Sequence, residues 1–231
     1  LNGISFAGVG NKTKIENIQV SYSNDDSFEF YGGNVKMENL VSYRASDDDF
    51  DFTQGVQADL KNSIAVRHPY STDAEKSRCM EIDSYDMIEK FDAQRNKTNV
   101  KATNITLVNT EDNDQGLIKE AVYVATDSYF TLNNSVIYGF KDFLMVKDYV
   151  LIDEVEEYVK LKNLVIAHCD NSLRTLKGDG TITVNSYFFS KNAINTLDGK
   201  IADFFKNPSF EETPDFRYTK MEKNFNPVVN K

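Results

Sequence analysis

The 231-residue sequence has no tryptophan, only two cysteines and only two histidines, and each shortage removes a class of explanation. Without Trp it offers few exposed platforms for stacking sugar rings. Its 12 Tyr and 16 Phe instead suit aromatic columns inside a core. Cys79 and Cys169 lie far apart in the repeat register set out below, beyond the reach of a disulfide. Neither has the spacing of a zinc site or a redox pair, so two buried free thiols are expected. His68 and His168 are too sparse to nucleate a metal cluster. Basic residues are outnumbered 26 to 36, leaving a net charge of −10, which argues against nucleic acid as a partner. No apolar run approaches the roughly 18 residues that would read as a transmembrane helix.

What the chain does have is a repeat. An apolar–x–Asn–apolar signature returns at Ile15–Asn17–Ile18, Met37–Asn39–Leu40, Leu60–Asn62–Ile64, Ala102–Asn104–Ile105, Leu132–Asn134–Val136 and Leu161–Asn163–Leu164. It returns last at Val184–Ser186–Tyr187, with Ser replacing Asn. The steps between the polar members are 22, 23, 42, 30, 29 and 23 residues. A period of this size with a few long insertions is the mark of a solenoid. A second apolar column follows the first, at Phe28–Glu29–Phe30, Phe50–Asp51–Phe52, Met80–Glu81–Ile82, Phe143–Leu144–Met145, Leu173–Arg174–Thr175–Leu176 and Ile194–Asn195–Thr196–Leu197. Alternation sends the apolar side chains inward, and successive laps then stack in parallel about 4.8 Å apart.

The expected fold is therefore all-β, a right-handed parallel β-helix of about seven coils over residues 1–199. Stacked asparagines bond one another and the turn backbone at one corner. Residues 200–231 are expected to supply a short helix laying Ile201, Phe204 and Phe205 on the last coil, followed by a docked extended tail. The chain opens about halfway through a coil, which predicts that earlier coils precede it.

The 22-residue step superimposes acids: Asp25 over Asp47, Asp26 over Asp48 and Glu29 over Asp51. Asp49 joins the lower row, and Glu81 and Asp83 continue it. Like charges on neighbouring strands repel, so such a column needs a cation, a basic partner or raised pKa values. Hard oxygen ligands at this density suit Ca²⁺, which makes Asp25, Asp26, Glu29, Asp47, Asp48, Asp49 and Asp51 the candidate metal ligands. Turn aspartates bonded to their own backbone are the plainer alternative. Glu111–Gly116 resembles a calcium loop, but Val122 stands where the bidentate Glu is required, which leaves a polar loop.

Five residues after the ladder Asn come Tyr22, Arg44, Arg67, Asn109 and His168. Arg44 and Arg67 are expected near Asp47 and Asp48. They serve either as salt-bridge partners or as holders of a carboxylated sugar. Tyr22, Arg44, Arg67, His68 and Glu81 are the candidate substrate-binding residues, with the Pro69–Arg78 loop walling one side.

The paired segments Tyr22–Gly33 and Tyr43–Phe52, with their Asp-Asp-Ser-Phe-Glu and Asp-Asp-Asp-Phe-Asp runs, resemble a family of secreted proteins and lipoproteins of Bacteroidetes-type bacteria. The resemblance is specific over about residues 1–68. It implies a pectate-lyase-like right-handed β-helix and a secreted, periplasmic or outer-membrane address. Two functions follow as expectations. The first is a glycan-binding or structural surface module with a calcium-stiffened acidic edge. The second is a calcium-dependent polysaccharide lyase, or a glycoside hydrolase, acting on acidic polysaccharide. A lyase would need an Arg or Lys base within about 3 Å of the proton it removes, with Arg44 and Arg67 the nominees.

Overall fold

Phe-x-Phe segments flanked by turn residues form short strands whose aromatic rings all point to one side. The computed structural model, which describes residues 1–72, 77–85, 90, 92–111, 116–147, 152–177, 180–183 and 194–219, shows what that alternation builds. Strands Ile4–Ala7, Phe28–Tyr31, Phe50–Thr53, Met80–Ile82, Val122–Val124, Asp142–Lys147 and Asn171–Lys177 pair in parallel to make a first sheet. A second sheet carries Lys14–Ser21, Asn34–Tyr43, Gln57–Lys61 with Ile64–Arg67, Asn99–Thr103 with Thr106–Asn109, Tyr129–Tyr138, Val159–Ala167 and Ile194–Leu197. The chain alternates between the two, so each lap adds one level to both.

The core lies between the sheets. Phe6, Phe30 and Phe52 stack at 5.0 Å per step, and Phe28 stacks on Phe50 at 5.4 Å. Phe28, Phe30, Phe50 and Phe52 are fully buried, each contributing roughly 1.5–3 kcal/mol of transfer free energy. The register follows the sequence step: Phe28 opposes Phe50, Glu29 opposes Asp51 and Phe30 opposes Phe52. The long step between Asn62 and Asn104 does not disturb it, since Gln57 pairs with Asn99 and Ile64 with Thr106.

The corner asparagines have a second reason to be there. Asn17, Asn39, Asn62, Asn104, Asn134 and Asn163 all adopt left-handed backbone, with φ between 50° and 61°. Among residues with a β-carbon, Asn tolerates that region best. Their amides form the expected ladder in pairs: Asn39 donates to Asn17 (2.9 Å), Asn104 to Asn62 (2.6 Å) and Asn163 to Asn134 (2.7 Å). Asn62 donates to Glu38 at 2.8 Å. The corner predicted at Ser186 lies outside the described residues.

Three expectations need correction. Ile194–Leu197 belongs to the second sheet, pairing with Leu164–Ala167, because the antiparallel hairpin of Asn171–Lys177 with Gly180–Thr183 resets the count. Val122–Val124 is a strand of the first sheet that the column search passed over. The helix Ile201–Phe204 does not cover an end of the stack. With strands Phe205–Asn207 and Asp215–Tyr218 it straps the outer face of the second sheet. There Phe204, Phe205, Phe210 and Phe216 pack on Val66, Val108, Val136 and Tyr138, the outward members of successive strands. Of the two thiols, Cys79 is buried as expected and Cys169 is partly exposed. Among the described residues no helix is long and apolar enough to cross a membrane.

Candidate functional site

The outward side chains of the first sheet form one row along the stack. Pairing runs Ser5, Glu29, Asp51, Glu81, Tyr123, Met145 and Arg174. Beside the acidic part of this row lie the turns that carry Asp25–Asp26 and Asp47–Asp48. Asp26 Oδ1 accepts the Asp48 amide at 2.9 Å, and Asp48 Oδ1 accepts the Arg78 amide at 2.6 Å. Each aspartate thus caps the turn of the next lap and is buried, whereas the plainer reading had turn aspartates bonded to their own backbone.

These bonds leave negative charge unbalanced. One carboxylate oxygen from each of Asp26, Glu29 and Asp51 lies within 4.8 Å of the others, and the same holds for Asp25, Asp26 and Asp47. Burial, reinforced by the charge of Asp47, pushes the Asp26 carboxyl up to about 8, against the pull of the Asp48 amide. Burial and the charges of Asp48, Asp26, Asp83 and Glu81 hold Asp51 well above the usual carboxylate range. Its Oδ1 is sealed from water and accepts no hydrogen bond. An acceptor left in that state is costly unless a proton or a cation reaches it.

The other candidate ligands face elsewhere. Asp49 is fully buried and pairs with Arg67 at 3.0 Å, with Ser42 donating to its other oxygen. Asp48 leans on Arg78, its Nη1 3.9 Å away, and burial together with the Glu81 charge still holds its carboxyl high. Arg78 is the basic partner that the sequence reading did not single out. It reaches Glu81 and Glu120 and lies 4.5 Å over the Tyr123 ring.

The basic column divides. Arg67 is 0% exposed, and its guanidinium donates to the carbonyls of Asp47 (2.7 Å), Arg78 (2.7 Å) and Ala45 (3.1 Å) as well as to Asp49 and Ser77. Sealed from solvent and held through both Nη atoms, it meets no substrate, which corrects its nomination as base and as sugar holder. Tyr22, Arg44 and His168 are left-handed corner residues, with φ of 57°, 58° and 50°. The Arg44 guanidinium sits 3.9 Å over Phe210 of the strap rather than beside Asp47. His68 caps the turn of Pro69–Ser71 through Nδ1 and packs on Phe210 at 5.5 Å. The substrate nominees therefore fall into three places: Tyr22, Arg44 and His68 near the strap, Arg67 in the interior, and Glu81 in the acidic row.

Residues 1–206 match the protein-family model described as "Pectate-lyase like beta helix domain". No curated protein and no solved structure matches the chain.

Proposed function

Because the chain belongs to the pectate-lyase-like β-helix family, whose description points to carbohydrate, we propose that it is a glycan-binding module stiffened by Ca²⁺ at its acidic edge. The solenoid in this reading is a right-handed single-stranded coil of about seven laps that is secreted, periplasmic or on the outer-membrane surface. The observation that carries the cation is the sealed, unbonded Oδ1 of Asp51 beside Asp26 and Glu29. Three carboxylates supply hard oxygen donors of both mono- and bidentate reach, and water can complete the shell of six to eight that calcium takes. Two of the three have carboxyls raised by burial and mutual repulsion, so a divalent charge relieves the strain that protonation otherwise relieves.

The lyase reading is less well supported. A base must be mobile and reach substrate. Among the described residues, the guanidinium groups that touch the acids are those of Arg67 and Arg78, and both are held by several bonds.

The test is thermal unfolding with and without Ca²⁺. Millimolar Ca²⁺ is expected to raise Tm by several degrees, EDTA to reverse the rise, and Asp51→Asn to abolish it. An unchanged Tm in the unmodified chain removes the metal from the proposal. Absorbance near 235 nm appearing on acidic polysaccharides would replace the binding module with a lyase.

A further inference from the structure

We infer that the groove between the strap and the opening laps binds a neutral oligosaccharide on a ridge of tyrosines, an inference that rests on the glycan-binding reading above. The outward members of the second sheet make two rows. Gln19, Val41, Ile64 and Thr106 pair in succession, and so do Ser21, Tyr43, Val66 and Val108. The strap buries Val66 and Val108 but leaves Val41 and Ile64 half-exposed. These two line a groove of about 650 Å³, together with Tyr22, Tyr43, Phe210 and Phe216. Along its rim five rings touch in series: Tyr22 on Tyr43 (5.5 Å), Tyr43 on Phe210 (5.9 Å), Phe210 on His68 (5.5 Å) and His68 on Tyr70 (5.4 Å). Both terminal rings face solvent, Tyr22 at 61% exposure and Tyr70 at 72%.

Tyr22 also holds left-handed backbone at φ 57°, a region that suits Asn or Gly and is costly for a bulky side chain. Burial does not offset that strain at so exposed a position, whereas a ligand stacked on the ring would. The polar groups of the groove match hydroxyls rather than charge. Gln19 and Ser21 are exposed, and Gln19 Nε2 donates to Ser21 Oγ at 2.9 Å, which leaves Gln19 Oε1 to accept and the Ser21 hydroxyl to donate. Among the described lining residues the charged one is Arg217, bonded through Nε and Nη2 to both oxygens of Asp215. Arg44 on the ridge is engaged by the Phe210 and Tyr43 rings, 3.9 and 5.7 Å away. Neutral donors and acceptors beside aromatic faces fit a sugar without an acid group, which presents C–H faces flanked by hydroxyls. An added peptide strand fits less well: among the described residues Asp215–Tyr218 has one sheet neighbour, yet its Arg217 amide already donates to Asp215 Oδ1 at 3.0 Å.

Calorimetric titration of the full chain should compare neutral cello-, xylo- and manno-oligosaccharides with an oligogalacturonate of equal length and a proline-rich peptide. At least one neutral probe is expected to bind, with an affinity that hardly changes with added salt. Tyr22→Ala and, separately, Tyr70→Ala are each expected to weaken it by up to about tenfold. Tyr22→Phe should keep most of it, since the ring rather than the hydroxyl makes the contact. None of the three should change the response of Tm to Ca²⁺. Full affinity in both folded Ala variants overturns the inference, as does tighter binding of the peptide. Neutral binding that appears only in a Phe225→Ala chain also overturns it, by giving the groove to the chain's own C-terminal segment. Binding of the oligogalacturonate alone overturns it and leaves the glycan module standing. No binding of any sugar overturns both.

Discussion

At the scale of single residues, Arg67 shows how a charged side chain can be structural throughout. Alternation along Ile64–Arg67 sends Ala65 into the core, Val66 to the outer flank and Arg67 back inside. Its guanidinium then serves carbonyls from two adjacent turns and neutralises Asp49. Arg67→Met is expected to cost about 3–5 kcal/mol, because it leaves Asp49 charged and unpaired, and Asp49→Asn in the same chain should restore part of the loss. Denaturant unfolding of the two variants checks this. The inward placement was legible, since the two-residue period of the strand already assigns Arg67 to the core side. Counting from the ladder Asn instead grouped it with Arg44, which sits on a left-handed corner and obeys no strand alternation. Arg78 was harder to find. Glu81 lies only three residues on, but Glu120 joins the pair only after two laps have stacked, and no local spacing encodes that.

At the scale of elements, the corner column carries two requirements at one position. Backbone near φ 61° and an amide bond to the lap below both fall on Asn104. Asn104→Gly keeps the first and loses the second, at about 1 kcal/mol. Asn104→Ala loses both and is expected to cost about 2–3 kcal/mol. Chemical denaturation that ranks Gly below Ala in damage confirms the backbone share; equal damage would assign everything to the amide. The corners and the first-sheet register of the opening laps, Phe28–Tyr31 on Phe50–Thr53, could be read from spacing because those laps repeat the same constraint. The strap could not. Its apolar residues were recognised, but Tyr218 bonds Thr106, a partner more than a hundred positions away with no periodic relation to it.

For the whole molecule, the acidic row sets how stability responds to pH. Asp26 has an ordinary value of 3.8 that folding raises to about 8, so the folded state holds a proton that the unfolded state has released. Stability from this group is complete below about 3.8 and fades as pH climbs toward 8. Metal-free protein should therefore lose stability between pH 5 and 8, by up to about 1.4 kcal/mol per pH unit for each such proton. Asp26→Asn keeps the oxygen that accepts the Asp48 amide and is expected to flatten the slope. A steeper slope in the variant would mean that another group governs it. The coincidence of the acids was visible once the 22-residue step was known, whereas the sealing of Asp51 Oδ1 depends on packing that no pattern of letters records.

The lane kept between Gln57 and Asn99 has a consequence for how such proteins diversify. The backbone leaves the first sheet at Ile82 and rejoins the second at Asn99 without losing its place. Lengthening that excursion costs little beyond loop-closure entropy, which grows only slowly with length. Such a scaffold can acquire new surface furniture by splicing, one lap at a time, while the winding beneath goes on unaltered.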